Sequence, residues 1–115
     1  MEDAYTEQAG VIHQNVLTID GHVEIPANYA TREVDPGRDN DFQVDLPKLL
    51  AGEMDSIFLV IDPGRTDSNT EDIASMQAGT IRGLEAIHRL AEEMYPTEFE
   101  IAYSADDIER IVGSG

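Results

Sequence analysis

The sequence predicts an α/β fold with a parallel sheet, because β-rich runs alternate along the chain with helical patterns. Residues 16–20 form a short β-branched run, and Ser56–Ile61 is a continuous apolar run of the kind that forms strands buried on both faces. Between residues 71 and 95, apolar side chains recur at helical steps. This alternation favours crossover helices packed on parallel strands.

The first part of the chain predicts a helix, a strand and a long loop. Ala4–Gln14 mixes small, polar and apolar residues, which indicates a leading helix, and residues 16–20 form the first strand. Residues 25–42 are rich in Asp, Asn, Pro, Gly and Arg, which is typical of a loop. Because long ordered loops tend to be functional, we expect this one to contribute to function.

Capping residues predict where the two middle helices begin and end. A short helix starts after Asp45, which serves as its N-cap, and stops at Gly52. A long helix starts near Ser68 and Glu71, which match a capping box, with Thr70 as a competing cap. The apolar stripe of the long helix consists of Ile73, Met76, Ile81, Leu84, Ile87, Leu90, Ala91 and Met94.

The C-terminal part of the chain predicts a third strand and a last helix. Residues 99–103 form a short apolar run after Pro96, which ends the long helix. Ser104 and Asp107 match another capping box, and the helix that they start stops at Gly113. The pattern therefore amounts to about three βα units.

The amino-acid composition indicates which binding partners, which covalent cross-links and which cellular location to expect. The 115 residues, which we expect to form a single domain over 1–115, include 24 Asp and Glu, 7 Lys and Arg, and no cysteine, for a net charge of −17. Such a surface repels nucleic acid, and disulfides or thiolate metal sites are excluded. The negative charge has three alternative explanations: a well-solvated surface, a host that lives at high salt, or carboxylates gathered near a cation site. Without a signal peptide or a transmembrane segment, a cytoplasmic protein is expected.

The most informative segment is residues 16–26, where an apolar run leads to Asp20, His22 and Glu24. Residues i and i+2 of a strand point to the same face. His22 and Glu24 could therefore direct an imidazole nitrogen and a carboxylate oxygen at one point, and both groups are zinc ligands. The spacing alone also allows a structural or surface role for His22.

Three segments in fixed order extend this pattern through almost the whole chain. They are residues 12–26, then 35–38 with 43–48 and 52–55, and finally 86–91 with 104–108. Together they resemble the N-terminal part of the membrane (renal) dipeptidase family, peptidase family M19. The family pattern in the first segment is Asp-Gly/Thr-His-x-Asp.

The resemblance implies a zinc-dependent dipeptidase with a (β/α)8 TIM-type barrel. In the family, two zinc ions serve dipeptide hydrolysis, and the His-x-Asp pair at the end of the first strand binds one of them. This assigns His22 and Glu24 as metal ligands, with Glu24 one methylene longer than the family's Asp. Asp20 is expected to accept the other imidazole N–H of His22. No residue of the chain is assigned as catalytic.

The length implies a partial barrel. A complete barrel takes about 250 residues, so residues 1–115 correspond to its N-terminal third, without the family's bridging glutamate and later histidine ligands. We expect this fragment to have little or no activity alone and, because of its open strand edges, to form a homo-oligomer or to be prone to aggregation. The alternative is a non-catalytic acidic α/β module, or a truncated enzyme-like protein that acts by association.

Other polar residues are expected to be structural. His13 precedes the first strand, and His88 lies among helix residues beside the apolar stripe. Asp62 begins an Asp-Pro-Gly turn after the second strand. Tyr103 and Asp106 flank the start of the last helix.

Overall fold

The computed structural model describes residues 3–63 and 70–115. These residues form a mixed α/β structure with a small parallel sheet. No helix among them is long and apolar enough to cross a membrane. In chain order the elements are α1 (Ala4–Gln14), β1 (Ile19–Ile25), α2 (Leu46–Ala51), β2 (Ser56–Ile61), α3 (Thr70–Arg89), a π-helical turn (Leu90–Met94) and α4 (Ala105–Gly113).

The two strands pair in parallel, as predicted, and β2 has the predicted bounds. The register runs from Ile19 opposite Ser56 to Ile25 opposite Ile61, with one irregularity inside β1. The loop and α2 connect the strands, and such a crossover is what a parallel pair requires.

The predicted position of the first strand, residues 16–20, is wrong, because β1 spans Ile19–Ile25. Thr18 donates its backbone N–H to Oδ2 of Asp55 at 3.0 Å and its hydroxyl to the carbonyl of Glu53 at 3.1 Å. The segment up to Thr18 is therefore tied to the turn before β2. As a result, the His-x-Glu pair lies within β1 rather than after it.

The predicted third strand over residues 99–103 does not form, because the sheet within the described ranges has two strands. Residues 99–102 carry neither helix nor strand. They line, together with β2, an apolar cavity of about 400 Å³. An apolar run becomes a strand only when its backbone pairs with an edge, and in the part of the chain that the structure describes residues 99–102 pair with none.

Two of the predicted helix caps are confirmed. Asp45 Oδ1 accepts the Lys48 backbone N–H at 2.9 Å, and α2 ends at Gly52. At α4, Ser104 Oγ accepts the backbone N–H of Asp107 at 3.1 Å. The predicted cap at Ser68 lies outside the described residues, as does the side chain of the competing cap Thr70.

The long helix continues beyond α3 into the π-helical turn. The turn closes with a hydrogen bond of 2.9 Å from the Tyr95 N–H to the Leu90 carbonyl. The next residue is Pro96, which lacks the N–H that a further turn needs. The predicted end of the helix is therefore confirmed, although its last turn is wider than an α-helical turn.

The core lies where the end of β1, the loop after it, and α3 with the π-helical turn that follows it meet. Its buried residues are Ile25, Tyr29, Ala30, Ala86 and Leu90. Elsewhere the apolar stripe of α3 is less covered: Ile73, Ile81 and Leu84 are 47%, 56% and 50% exposed. The folded chain is therefore best packed beside the His-x-Glu pair.

Candidate metal centre

β1 brings His22 and Glu24 together on one face, as the spacing predicted. Nε2 of His22 lies 3.4 Å from Oε1 of Glu24. The two side chains are 65% and 64% exposed. Both groups therefore remain accessible to a ligand that comes from solvent.

The separation of the two groups suits one zinc ion. Imidazole nitrogen and carboxylate oxygen bind zinc at about 2.0–2.2 Å, so two ligands at a tetrahedral angle lie about 3.3–3.5 Å apart. The observed 3.4 Å fits this geometry. Within residues 3–63 and 70–115, no three His, Asp or Glu side chains form a metal-binding group. The pair thus offers two of the three protein ligands that catalytic zinc sites usually have.

Asp20 supports the pair in a different way from the predicted one. Its Oδ1 accepts the backbone N–H of His22 at 3.0 Å, whereas an acceptor for the imidazole N–H was expected. The contact coincides with the irregular stretch of β1 between Asp20 and Val23. Asp20 therefore holds the backbone that carries the imidazole rather than the imidazole itself.

His22 and Glu24 line a cavity of about 420 Å³ whose other wall comes from the long loop. That wall includes Tyr29, Phe42 and Val44. Apolar and aromatic side chains thus lie beside a potential metal site, an arrangement that is common in sites for small molecules.

The loop is anchored to the last turn of α3 and to Tyr95, which follows the π-helical turn. Arg89 Nε donates to the carbonyl oxygen of Ala30 at 2.7 Å, and Nη2 donates to that of Tyr29 at 3.3 Å. The Tyr95 hydroxyl donates to both carboxylate oxygens of Asp35, at 2.8 and 3.0 Å. The loop is therefore held by hydrogen bonds that span about half of the chain.

The far end of the loop is anchored by Asp45, which is 1% exposed. Its Oδ2 accepts the Asn40 backbone N–H at 3.2 Å and pairs with the ammonium of Lys48. Burial by itself raises the pKa of Asp45, but the hydrogen bonds from Lys48 and Asn40 outweigh it and keep the pKa below its ordinary value. Asp45 is therefore an ionised anchor as well as a helix cap.

Tyr29 is the most buried polar side chain of the cavity wall. It is 8% exposed, and burial raises the pKa of its hydroxyl to about 12. At neutral pH the hydroxyl is therefore protonated and able to donate a hydrogen bond.

The other two histidines contact different parts of the chain. His13 Nε2 donates to the carbonyl oxygens of Gly52 and Glu53, at 3.0 and 3.1 Å, and so ties α1 to the end of α2. His88 Nδ1 lies 2.8 Å from Glu92 Oε1, one helical turn away.

Comparisons with known proteins identify the family and the fold of the chain. The sequence profile of the membrane dipeptidase family (peptidase family M19) matches residues 6–115. The chain therefore belongs to the membrane dipeptidase family, and the resemblance inferred from the sequence is confirmed.

A solved structure gives the same result for the fold. The chain superimposes on the probable dipeptidase PvdM from Pseudomonas aeruginosa with a TM-score of 0.84 and 20% sequence identity. The match covers 95% of this chain and 28% of that one. The chain thus has the fold of a small part of that protein. A search of curated proteins found no match.

The sequence indicated that His22 and Glu24 lie together on one face of a strand, but it did not indicate the residues that build the cavity around them. Tyr29 carried a weak signal, because an aromatic residue in a polar loop often marks a buried anchor. Arg89 carried no such signal. A basic residue in the last turn of a helix is already expected, because it interacts favourably with the helix dipole.

Proposed function

We propose that the chain is a zinc-binding part of a dipeptidase, in which His22 and Glu24 hold one zinc ion. The observation that carries the proposal is the 3.4 Å between Nε2 of His22 and Oε1 of Glu24 on one face of β1. Membership of the dipeptidase family supports the reaction class. The cavity beside the pair supplies room for a small substrate.

The residues of the chain would have distinct tasks in this function. A bound zinc ion would polarise the peptide carbonyl and acidify a water molecule. His22 and Glu24 would hold the ion, and Asp20 fixes the backbone of His22. Tyr29, Phe42 and Val44 would contact the apolar part of a dipeptide and exclude water from it.

Zinc binding by this chain and hydrolysis of dipeptides by it are separate expectations. Two protein ligands rarely hold a catalytic zinc, for which three are typical. We therefore propose that the 115-residue chain binds zinc weakly and hydrolyses dipeptides little or not at all by itself. Robust turnover by this chain, abolished by a chelator, would contradict that part of the proposal.

Zinc affinity tests the assignment of the ligands. Competition with a chromogenic chelator should show affinity reduced about tenfold or more in His22→Ala and in Glu24→Gln, since loss of even an outer partner of a metal site costs that much. His88→Ala is the matched control, because His88 also pairs with a carboxylate on an exposed surface, and its affinity should be unchanged. Equal affinity in all four proteins would refute the assignment. It would favour the non-catalytic acidic module that acts by association.

A further inference from the structure

A residue on α3, outside the lining of the cavity, is hydrogen-bonded to the backbone of the cavity wall. Arg89 belongs to the last turn of α3, whereas its two hydrogen bonds go to the carbonyl oxygens of Tyr29 and Ala30. The guanidinium presents its donors in a planar fork. It can therefore bind two successive carbonyl groups and fix the direction of the chain between them.

The backbone at this point needs such support. Ala30 has a φ of 58°, a left-handed conformation that costs energy for a residue with a Cβ atom. It is also 0% exposed, so water cannot satisfy its carbonyl oxygen if the hydrogen bond at 2.7 Å is lost. A charged donor to a buried carbonyl is one of the stronger hydrogen bonds in proteins.

The direction of the backbone at Tyr29 determines where its ring lies. The Tyr29 N–H donates to the Pro26 carbonyl at 3.1 Å, and its carbonyl accepts from Arg89 at 3.3 Å. The residue is thus held on both sides of its Cα atom. Its side chain lines the cavity with His22 and Glu24.

We propose that Arg89 is a positioning residue, which fixes the backbone of Tyr29 and Ala30 and thereby holds the Tyr29 ring in the cavity wall beside His22 and Glu24. The inference rests on the proposed function only in taking this cavity as the ligand site. It predicts that changes at Arg89 alter the surroundings of Tyr29 even though the two side chains belong to different elements.

The environment of Tyr29 can be read without zinc or substrate. Tyrosinate absorbance after a rapid pH jump gives the titration curve of all the tyrosines. Subtracting the curve of Tyr29→Phe from that of the natural chain leaves the titration of Tyr29. Burial raises the pKa of Tyr29 to about 12. Arg89→Met should lower this midpoint by about one unit or more toward the ordinary value near 10, a tenfold or greater change in proton affinity. Arg89→Lys keeps the charge but lacks the fork, so a smaller decrease is expected.

The control is Arg110→Met, which removes an exposed arginine paired with Glu100 at 2.8 Å and should leave the Tyr29 midpoint unchanged. An unchanged midpoint in folded Arg89→Met would overturn the proposal. If Arg89→Met fails to fold, Arg89→Lys decides in the same way. Because the titration contains no zinc, failure of His22 and Glu24 to bind metal would not affect it, and the two proposals can fail separately.

A second readout distinguishes positioning from general stabilisation. The Thr31 N–H donates to the Val34 carbonyl at 3.1 Å, one residue beyond the segment that Arg89 holds. In Arg89→Lys, hydrogen exchange of this amide should accelerate at least several-fold, while exchange of amides in β2 stays unchanged. Equal acceleration in the loop and in β2 would indicate a merely structural role and would contradict the proposal.

Discussion

Tyr95 donates its hydroxyl proton to Asp35 Oδ1 at 2.8 Å and so links the end of the long helix to the loop that follows β1. The hydrogen bond to the Asp35 carboxylate raises the pKa of Tyr95 above its ordinary value. Arg38 pairs with the same carboxylate at 3.3 Å. This contact holds the middle of the loop, as Arg89 holds its beginning.

Gly37→Ala should disrupt this contact. A Cβ atom at Gly37 would lie 1.9 Å from Cζ of Tyr95, so the ring must move away from Asp35. We expect the free energy of unfolding to fall by about 1–3 kcal/mol, the usual effect of overpacking, as measured by urea denaturation. Gly10→Ala is the control, because a Cβ there meets no atom within 4 Å. In the middle of α1 it should stabilise by about 0.5–1 kcal/mol. Equal effects of the two substitutions would contradict the assigned packing.

Asp45→Ala should destabilise the chain through the other end of the loop. The change removes the N-cap of α2 and leaves the Lys48 ammonium and the Asn40 N–H without this acceptor. A loss of about 2–3 kcal/mol in the free energy of unfolding is expected. The control is Asp106→Ala, at an exposed position in the first turn of α4. It should change the free energy of unfolding by about 0.5 kcal/mol or less.

The contribution of Asp45 to the free energy of unfolding should also depend on pH. Because its folded-state pKa lies below the ordinary value of 3.8, the stabilisation is complete above that value and is lost as the pH falls through the folded-state pKa. The difference in free energy of unfolding between the natural chain and Asp45→Asn should therefore shrink in acid. A difference that stays constant from pH 7 down to about pH 2 would show that ionisation of Asp45 is irrelevant.

The raised pKa of Tyr29 predicts that the folded chain loses stability at alkaline pH. Its folded-state pKa of about 12 exceeds the ordinary 10.0, so its stabilising effect is complete below pH 10 and disappears as the pH rises toward 12. Urea denaturation of Tyr29→Phe should show a smaller loss of stability between about pH 9 and pH 11 than the natural chain. Tyr5→Phe, at a position 81% exposed, provides the comparison and should follow the natural chain.

The open sheet predicts self-association. Within the described residues, β1 and β2 each pair on one side only, and unpaired edges favour contacts between chains. The net charge of −17 opposes association at low salt, so sedimentation should show larger species as salt screens the repulsion. A monomer at every salt concentration, with one sharp unfolding transition, would contradict this prediction.

Local signals predicted the elements that depend on neighbouring residues. The bounds of α1 follow from its mix of residue types, those of β2 from its continuous apolar run, and the cap at Asp45 from capping chemistry over a few residues. The approach of His22 to Glu24 likewise follows from the two-residue period of a strand. These features required no knowledge of the rest of the fold.

Contacts between distant residues decided what the sequence did not predict. β1 begins at Ile19 because Thr18 bonds to Asp55, which is 37 residues away. Residues 99–102 pair with no strand within the described ranges, and an apolar run forms a strand only where a distant segment offers it an edge. Arg89 and Ala30 are 59 residues apart, and no local pattern indicates that the helix would hold the loop.

The most direct test of the proposed zinc site is to follow the imidazole resonances of the three histidines by NMR as one equivalent of zinc is added. We predict that the Nε2 resonance of His22 shifts, because Nε2 lies 3.4 Å from the Glu24 carboxylate, and that His13 and His88 do not respond. A response at His13 or His88 with His22 unchanged, or no response at any histidine, would contradict the assignment of His22 and Glu24 as the zinc ligands.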